Sequence, residues 1–228
     1  MMADSNSPQV LVFVFDGVLL ESVDVKDEAF RELFPDTTAE QRQAVYDFHR
    51  ATPGIHRRVK VGRILTEVLN RPADEATVDS ALERFREIVW ERLMNCPEVP
   101  GVRAFLEAHD HLPKYVVSAA PHEELRELAR ARGFTRYFRD VLGSPPGKAE
   151  LLGWILQQEG VAPSDTTMYG DKLADFRAAE DVGVHFVGRR TSCSAGEFPS
   201  GVSVIDSFID PGQRSGHQSS IGHGKQEA

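Results

Sequence analysis

Five side chains stand where short motifs could do chemistry. Asp16 precedes a glycine at the end of an apolar run, Ser118 ends another, Lys148 follows Gly147 at the start of a helical segment, and Asp171 follows Gly170 with Asp175 four residues on. An Asp before Gly is by itself a turn residue, yet its carboxylate can also move a proton or join a metal shell. The Ser118 hydroxyl either opens the following helix or donates to a phosphate oxygen, and both readings stand. Lys148 is more telling, because the first turn of a helix is where the macrodipole disfavours a cation, so an anion is expected beside it. Asp171 and Asp175 either stabilise the dipole of the helix they open or together offer carboxylates to a hard cation such as Mg²⁺, which takes few protein oxygens alongside water and substrate phosphate. The densest positive run, His56-Arg57-Arg58-Val59-Lys60-Val61-Gly62-Arg63, is either a solvated helix face or, through Arg57 and Arg58, a grip on phosphate or carboxylate.

These residues need a scaffold, and the pattern supplies one. Val10–Phe15 is an unbroken apolar run stopped by Asp16-Gly17, which predicts a strand buried on both faces. Lys114–Ser118, Thr166–Tyr169 and Val184–Val187 are further strands of this kind. Between them the chain predicts a helix from Pro121 to just before Gly133, a second from Lys148 to Glu159 and a third from Leu173 to Val182, the last two each followed by glycine. Alternation of strand and helix implies a parallel α/β sheet covered on both faces. From about Val23 to Asn95 the pattern is helical throughout. Val78, Leu82, Phe85, Val89 and Leu93 form one stripe, so a helical unit is inserted after the first strand, over the strand ends where open α/β sheets bind ligands. Beyond Asp210 the chain is Gly, Ser, Gln and His with little apolar, and disorder is expected over 210–228.

Composition narrows the partners. The chain has 228 residues, 41% of them hydrophobic, and a net charge of −9, so a nucleic-acid backbone is disfavoured while a small anion held by a local positive cluster is not. No apolar run approaches the roughly 18 residues of a membrane span, and the acidic opening lacks a signal-peptide pattern. Cys96 and Cys193 have no metal or redox spacing, and a reducing cytoplasm is the expected location.

Taken in order, Phe15-Asp16-Gly17-Val18-Leu19, Val117-Ser118, Gly147-Lys148 and Tyr169-Gly170-Asp171 with Asp175 resemble the four motifs of the haloacid dehalogenase (HAD) superfamily, mostly Mg²⁺-dependent phosphatases. Gly143–Leu151 and Val184–Arg189 look like its phosphoglycolate-phosphatase-like branch, as does a helical cap after the first motif. The resemblance implies a HAD-like core, a Rossmann-like parallel sheet with helices on both faces, at residues 1–20 and 98–209, and an α-helical cap at 21–97. It also implies acid/base duty for Asp16, phosphoryl binding by Ser118 and Lys148, a Mg²⁺ shell of Asp16, Asp171 and Asp175, and a small phosphorylated or other anionic metabolite as substrate.

One position departs from the pattern. The family's first motif is Asp-x-Asp-Gly, in which the first Asp attacks phosphorus and the second protonates the leaving oxygen. Asp16-Gly17 matches the second, which puts Val14 at the nucleophile. Valine has no lone pair, so it can neither attack nor ligate, and Mg²⁺ binding is expected to be weak. A register shifted by two would make Asp16 the nucleophile and leave Val18 at the acid position. Three readings follow: an enzyme acting on a small phosphate monoester by direct hydrolysis or elimination with Asp16 as acid/base; a non-catalytic phosphate-ester-binding pseudophosphatase with a regulatory or partner role; or an ordinary phosphatase carrying an introduced valine.

Overall fold

The computed structural model describes residues 7–52, 55–192 and 198–209. In chain order they form β1 (Val10–Phe13), α1 (Val25–Glu32), α2 (Ala39–Ala51), α3 (Arg57–Arg63), which runs on as a wide turn over Ile64–Val68, α4 (Glu75–Asn95) and α5 (Val102–Ala108). There follow β2 (Lys114–Pro121), α6 (His122–Ala131), β3 (Asp140–Ser144), α7 (Lys148–Glu159), β4 (Thr166–Gly170), α8 (Leu173–Val182), β5 (His185–Arg189) and β6 (Ser203–Ile205). The strands make one parallel sheet in the order β3-β2-β1-β4-β5-β6.

That order decides where a ligand can bind. The chain winds outward from β1 in both directions, so the crossovers leaving β1 and β4 diverge, and the carboxyl ends of these two neighbours are where an open α/β sheet takes its ligand. Val14, Asp16 and Asp171 all lie at that edge. The four residues of β1 are buried, as a central parallel strand requires. Its ladder stops at Phe13 rather than Phe15 because the chain turns at once: the Phe15 carbonyl accepts from the N–H groups of Leu19 and Leu20, and Gly17 takes φ +74°, a left-handed conformation that a side chain disfavours.

Helices α1 to α4 enclose an apolar cluster of their own around Phe30, Val61, Ile64 and Phe85, while the sheet core gathers around Phe13, Phe15, Val116 and Leu152. The α4 stripe joins the two. Val78 and Phe85 belong to the helical cluster, Leu93 to the sheet core, and Val89 packs against both. The helix is capped by Asp74, whose carboxylate accepts from Thr77 N–H at 3.0 Å.

The α7 and α8 boundaries are those the sequence predicts. Pro121 ends β2 and stands just outside α6 rather than opening it. Strands β3 and β6 and helix α5 were not expected from sequence. Among the described residues no helix is long and apolar enough to cross a membrane. Cys193 and the tail from Asp210 lie outside the described residues.

Candidate active site

Asp16 leaves the end of β1 with its carboxylate already held. Ser22 donates its hydroxyl to Oδ1 at 2.7 Å, and Lys26 Nζ, from the first turn of α1, donates to Oδ2 at 3.0 Å. Burial pushes this carboxyl up, but the Lys26 charge and the two hydrogen bonds outweigh it, and the group sits below its ordinary value. Asp16 is therefore ionised at neutral pH, with its side chain 21% exposed. In this state it can accept a proton, and it can donate one only after it has taken one up.

Neither Ser22 nor Lys26 was singled out from the sequence. The signal for Lys26 was there, since it is a cation in the first turn of a helix, the same dipole anomaly that marks Lys148.

The turn carrying Asp16 is clamped from below. Arg189 donates to the Gly17 carbonyl at 3.1 Å and to Glu21 Oε2 at 2.7 Å. Gly17 in turn lies against Asp171: a Cβ built on it would meet Asp171 Oδ2 at 2.5 Å and Cγ at 2.6 Å. The glycine after Asp16 thus lets the first strand-end turn touch the β4 carboxylate.

Asp171 is 1% exposed, and its Oδ2 has no hydrogen-bond partner. Burial first, and the charge of Asp175 second, push its carboxyl up to about 7. A group whose folded value is raised binds its proton more tightly in the native state, so stability is full below the ordinary value near 3.8 and is lost as pH rises through about 7. Chemical denaturation between pH 4 and 8 should show this decline, and Asp171→Asn should flatten it; an unchanged slope in the variant would mean that other groups cause it.

Asp175, also 1% exposed, has no free oxygen. Its Oδ2 accepts from the N–H groups of Asp171 at 3.2 Å and Lys172 at 3.0 Å, closing the first turn of α8, and its Oδ1 is paired with Lys148 Nζ. The anion that compensates Lys148 against the α7 dipole is thus a protein carboxylate.

Ser118 is buried within β2, three residues before the strand ends at Pro121, and its Oγ accepts from Ala120 N–H at 3.1 Å. That leaves its proton available to an acceptor. Val14, 4% exposed, donates its N–H to the Tyr169 carbonyl at 2.9 Å and packs into the sheet core.

Helical geometry divides the basic run. Arg57 lines a cavity that also reaches Asp16 and Lys26, with its guanidinium 4.8 Å from the Phe85 ring centre. Arg58 instead pairs with Asp79 of α4 on the exposed side, away from that cavity. Lys60 is buried on His49, 3.1 Å from Nδ1, and His49 Nε2 is 3.1 Å from Asp27. Arg63 pairs with Glu67.

The carboxylates do not assemble into a Mg²⁺ shell as they stand. The ion wants a near-octahedral set of oxygens, whereas Asp16 is engaged by Ser22 and Lys26, Asp175 by Lys148 and two N–H groups, and Val14 offers nothing. Asp171 Oδ2 is the one orphaned carboxylate oxygen among these groups. Among the described residues no three of His, Cys, Asp and Glu are grouped so as to hold a metal.

Comparison with known proteins agrees with this architecture. Over 217 residues the chain is 24% identical to a phosphoglycolate phosphatase of Photobacterium profundum, covering 88% of this chain and 90% of that one. Over 126 residues, half of this chain and 56% of the relative, it is 34% identical to a 5'-nucleotidase of Pseudomonas aeruginosa. The fold is shared with a predicted phosphoglycolate phosphatase from Haemophilus somnus (TM-score 0.69, 19% identity, 90% and 96% of the two chains). It is shared as well with CbbY from Rhodobacter sphaeroides, solved in complex with phosphate (TM-score 0.66, 19% identity, 88% and 95%). With residues 9–183 matching the haloacid dehalogenase-like hydrolase model, the carboxylates at the ends of β1 and β4 find their context: the chain belongs to the haloacid dehalogenase-like hydrolase family.

Proposed function

We propose that the chain binds a small phosphate monoester at the carboxyl end of β1, beside Asp16 and Lys26, and acts on it, where it acts, without an aspartyl-phosphate intermediate. The observation that carries this reading is the pairing of an ionised Asp16 with Lys26, 3.0 Å apart, on the wall of the cavity. Asp16 takes a proton from a water that attacks phosphorus as the ester P–O bond breaks and returns it to the departing oxygen, Lys26 and Ser118 donate to the phosphoryl oxygens, and Lys148 adds positive charge while remaining paired with Asp175. Val14 occupies the nucleophile position. Residues 21–97 act as a cap over the strand ends and 1–20 with 98–209 as the core. The relatives named for phosphoglycolate and nucleotides, and the neighbour solved with phosphate, support a phosphorylated ligand. A second reading, phosphate recognition without turnover, is favoured by one feature: both Asp16 oxygens are already engaged.

Calorimetry on the whole chain tests the shared claim. Phosphate should bind in the presence of a chelator, added Mg²⁺ should change its affinity by less than about tenfold, and Mg²⁺ alone should show no low-micromolar site. Ordinary Mg²⁺-dependent turnover of aryl phosphates with a trappable aspartyl phosphate would overturn the placement of Val14 and point to Asp16 as nucleophile. Slow metal-independent turnover selects the first reading, and none across a panel of esters the second.

A further inference from the structure

The cavity that Asp16 and Lys26 share is about 470 Å³ and extends between α4 and α6. Its size falls in the range of sites that enclose a whole organic ligand. Phe15, Phe85, Val89, Trp90, Leu125 and Leu128 give it apolar walls. Trp90 is 37% exposed and stacks on no other ring among the described residues, an indole face left open beside a cavity.

The charges on these walls are not those of an anion trap. Glu83 and Glu87 of α4 and Glu124 and Glu127 of α6 line the same space. Of the three cations there, Lys26 is paired with Asp16, Arg86 with Glu83, and Arg57 lies over the Phe85 ring. Carboxylates outnumber cations, so a second negative group on the ligand meets repulsion in a partly enclosed space.

We infer that this cavity receives the organic group of the phosphate ester, and that this group is an apolar ring or chain bearing no negative charge. The inference rests on the phosphate reading of the Asp16–Lys26 end. It separates this chain from a use of phosphoglycolate, whose organic part is one methylene and a carboxylate: too small to cover the indole and of the wrong sign for the four glutamates.

Fluorescence and calorimetry of the full chain test it. The sequence holds two tryptophans, so Trp154→Phe leaves Trp90 as the sole indole reporter. In that background 1-naphthyl phosphate should quench Trp90 and bind at least about tenfold more tightly than phosphoglycolate. Trp90→Ala should erase most of that advantage with inorganic phosphate affinity unchanged, and Trp90→Phe should retain part of it. Glu87→Gln with Glu124→Gln should raise phosphoglycolate affinity. If inorganic phosphate binds but phosphoglycolate equals or surpasses 1-naphthyl phosphate, the inference fails and the phosphate reading survives. If 1-naphthol quenches Trp90 while no phosphate compound binds, the phosphate reading fails and the inference, which rests on it, falls too.

Discussion

Val14→Asp should turn the chain into a Mg²⁺-dependent phosphatase, with a gain on aryl phosphates on the order of 10³-fold or more, because loss of a nucleophile is among the largest single-residue effects on an enzyme. The new carboxylate would stand at the end of β1 beside Tyr169, two residues before Asp171 and its unpartnered oxygen. Two carboxylates there make the beginning of an oxygen shell that Val14 denies. The same substitution carries a cost that gives an independent readout. Position 14 is 4% exposed, and a buried carboxylate without a partner destabilises by about 3 kcal/mol or more. In a chelator the variant should therefore melt well below the parent, and Mg²⁺ should restore much of the loss by binding the folded state. Val14→Asn, polar but a poor nucleophile, should remain inactive, and adding Asp16→Asn to Val14→Asp should remove the gain. A folded Val14→Asp chain that takes up Mg²⁺ yet hydrolyses none of several esters would show that the site has diverged beyond this residue.

The elements that position the site were legible wherever local chemistry is strong. An apolar run ending in Asp-Gly marks β1, and terminal glycines mark the ends of α7 and α8. Strand β3 was not legible, since Asp140-Val141-Leu142-Gly143-Ser144 has only two apolar residues and is a strand because the backbone of β2 pairs with it. Side-chain partners across long separations are a second blind spot. The dipole argument rightly called for an anion beside Lys148, but nothing local says that it is Asp175, 27 residues away, rather than a ligand. Arg58 resembles Arg57 in sequence, and only the packing of α3 on α4 sends one to Asp79 and the other to the cavity. Lys26 was legible by the argument applied to Lys148.

Lys148→Met should destabilise the fold by about 3 kcal/mol, the lower part of the range for removing one partner of a buried ion pair. It leaves Asp175 charged at a site 1% exposed, with two N–H donors but no cation. Those two donors are why the loss should not reach the top of that range. If this is the cause, neutralising the orphan should undo it: Lys148→Met with Asp175→Asn should recover more than half of the loss, because an amide oxygen can still accept from the first turn of α8. Urea denaturation in phosphate-free buffer measures all three variants against the parent. A single-variant loss below about 1 kcal/mol would place the pair among weak surface contacts and free Lys148 for a ligand alone. Repeating the series in phosphate separates the two duties. If Lys148 shares its ammonium between Asp175 and a phosphoryl oxygen, phosphate should raise the stability of the parent more than that of either variant, whereas a purely structural Lys148 would leave the increments equal.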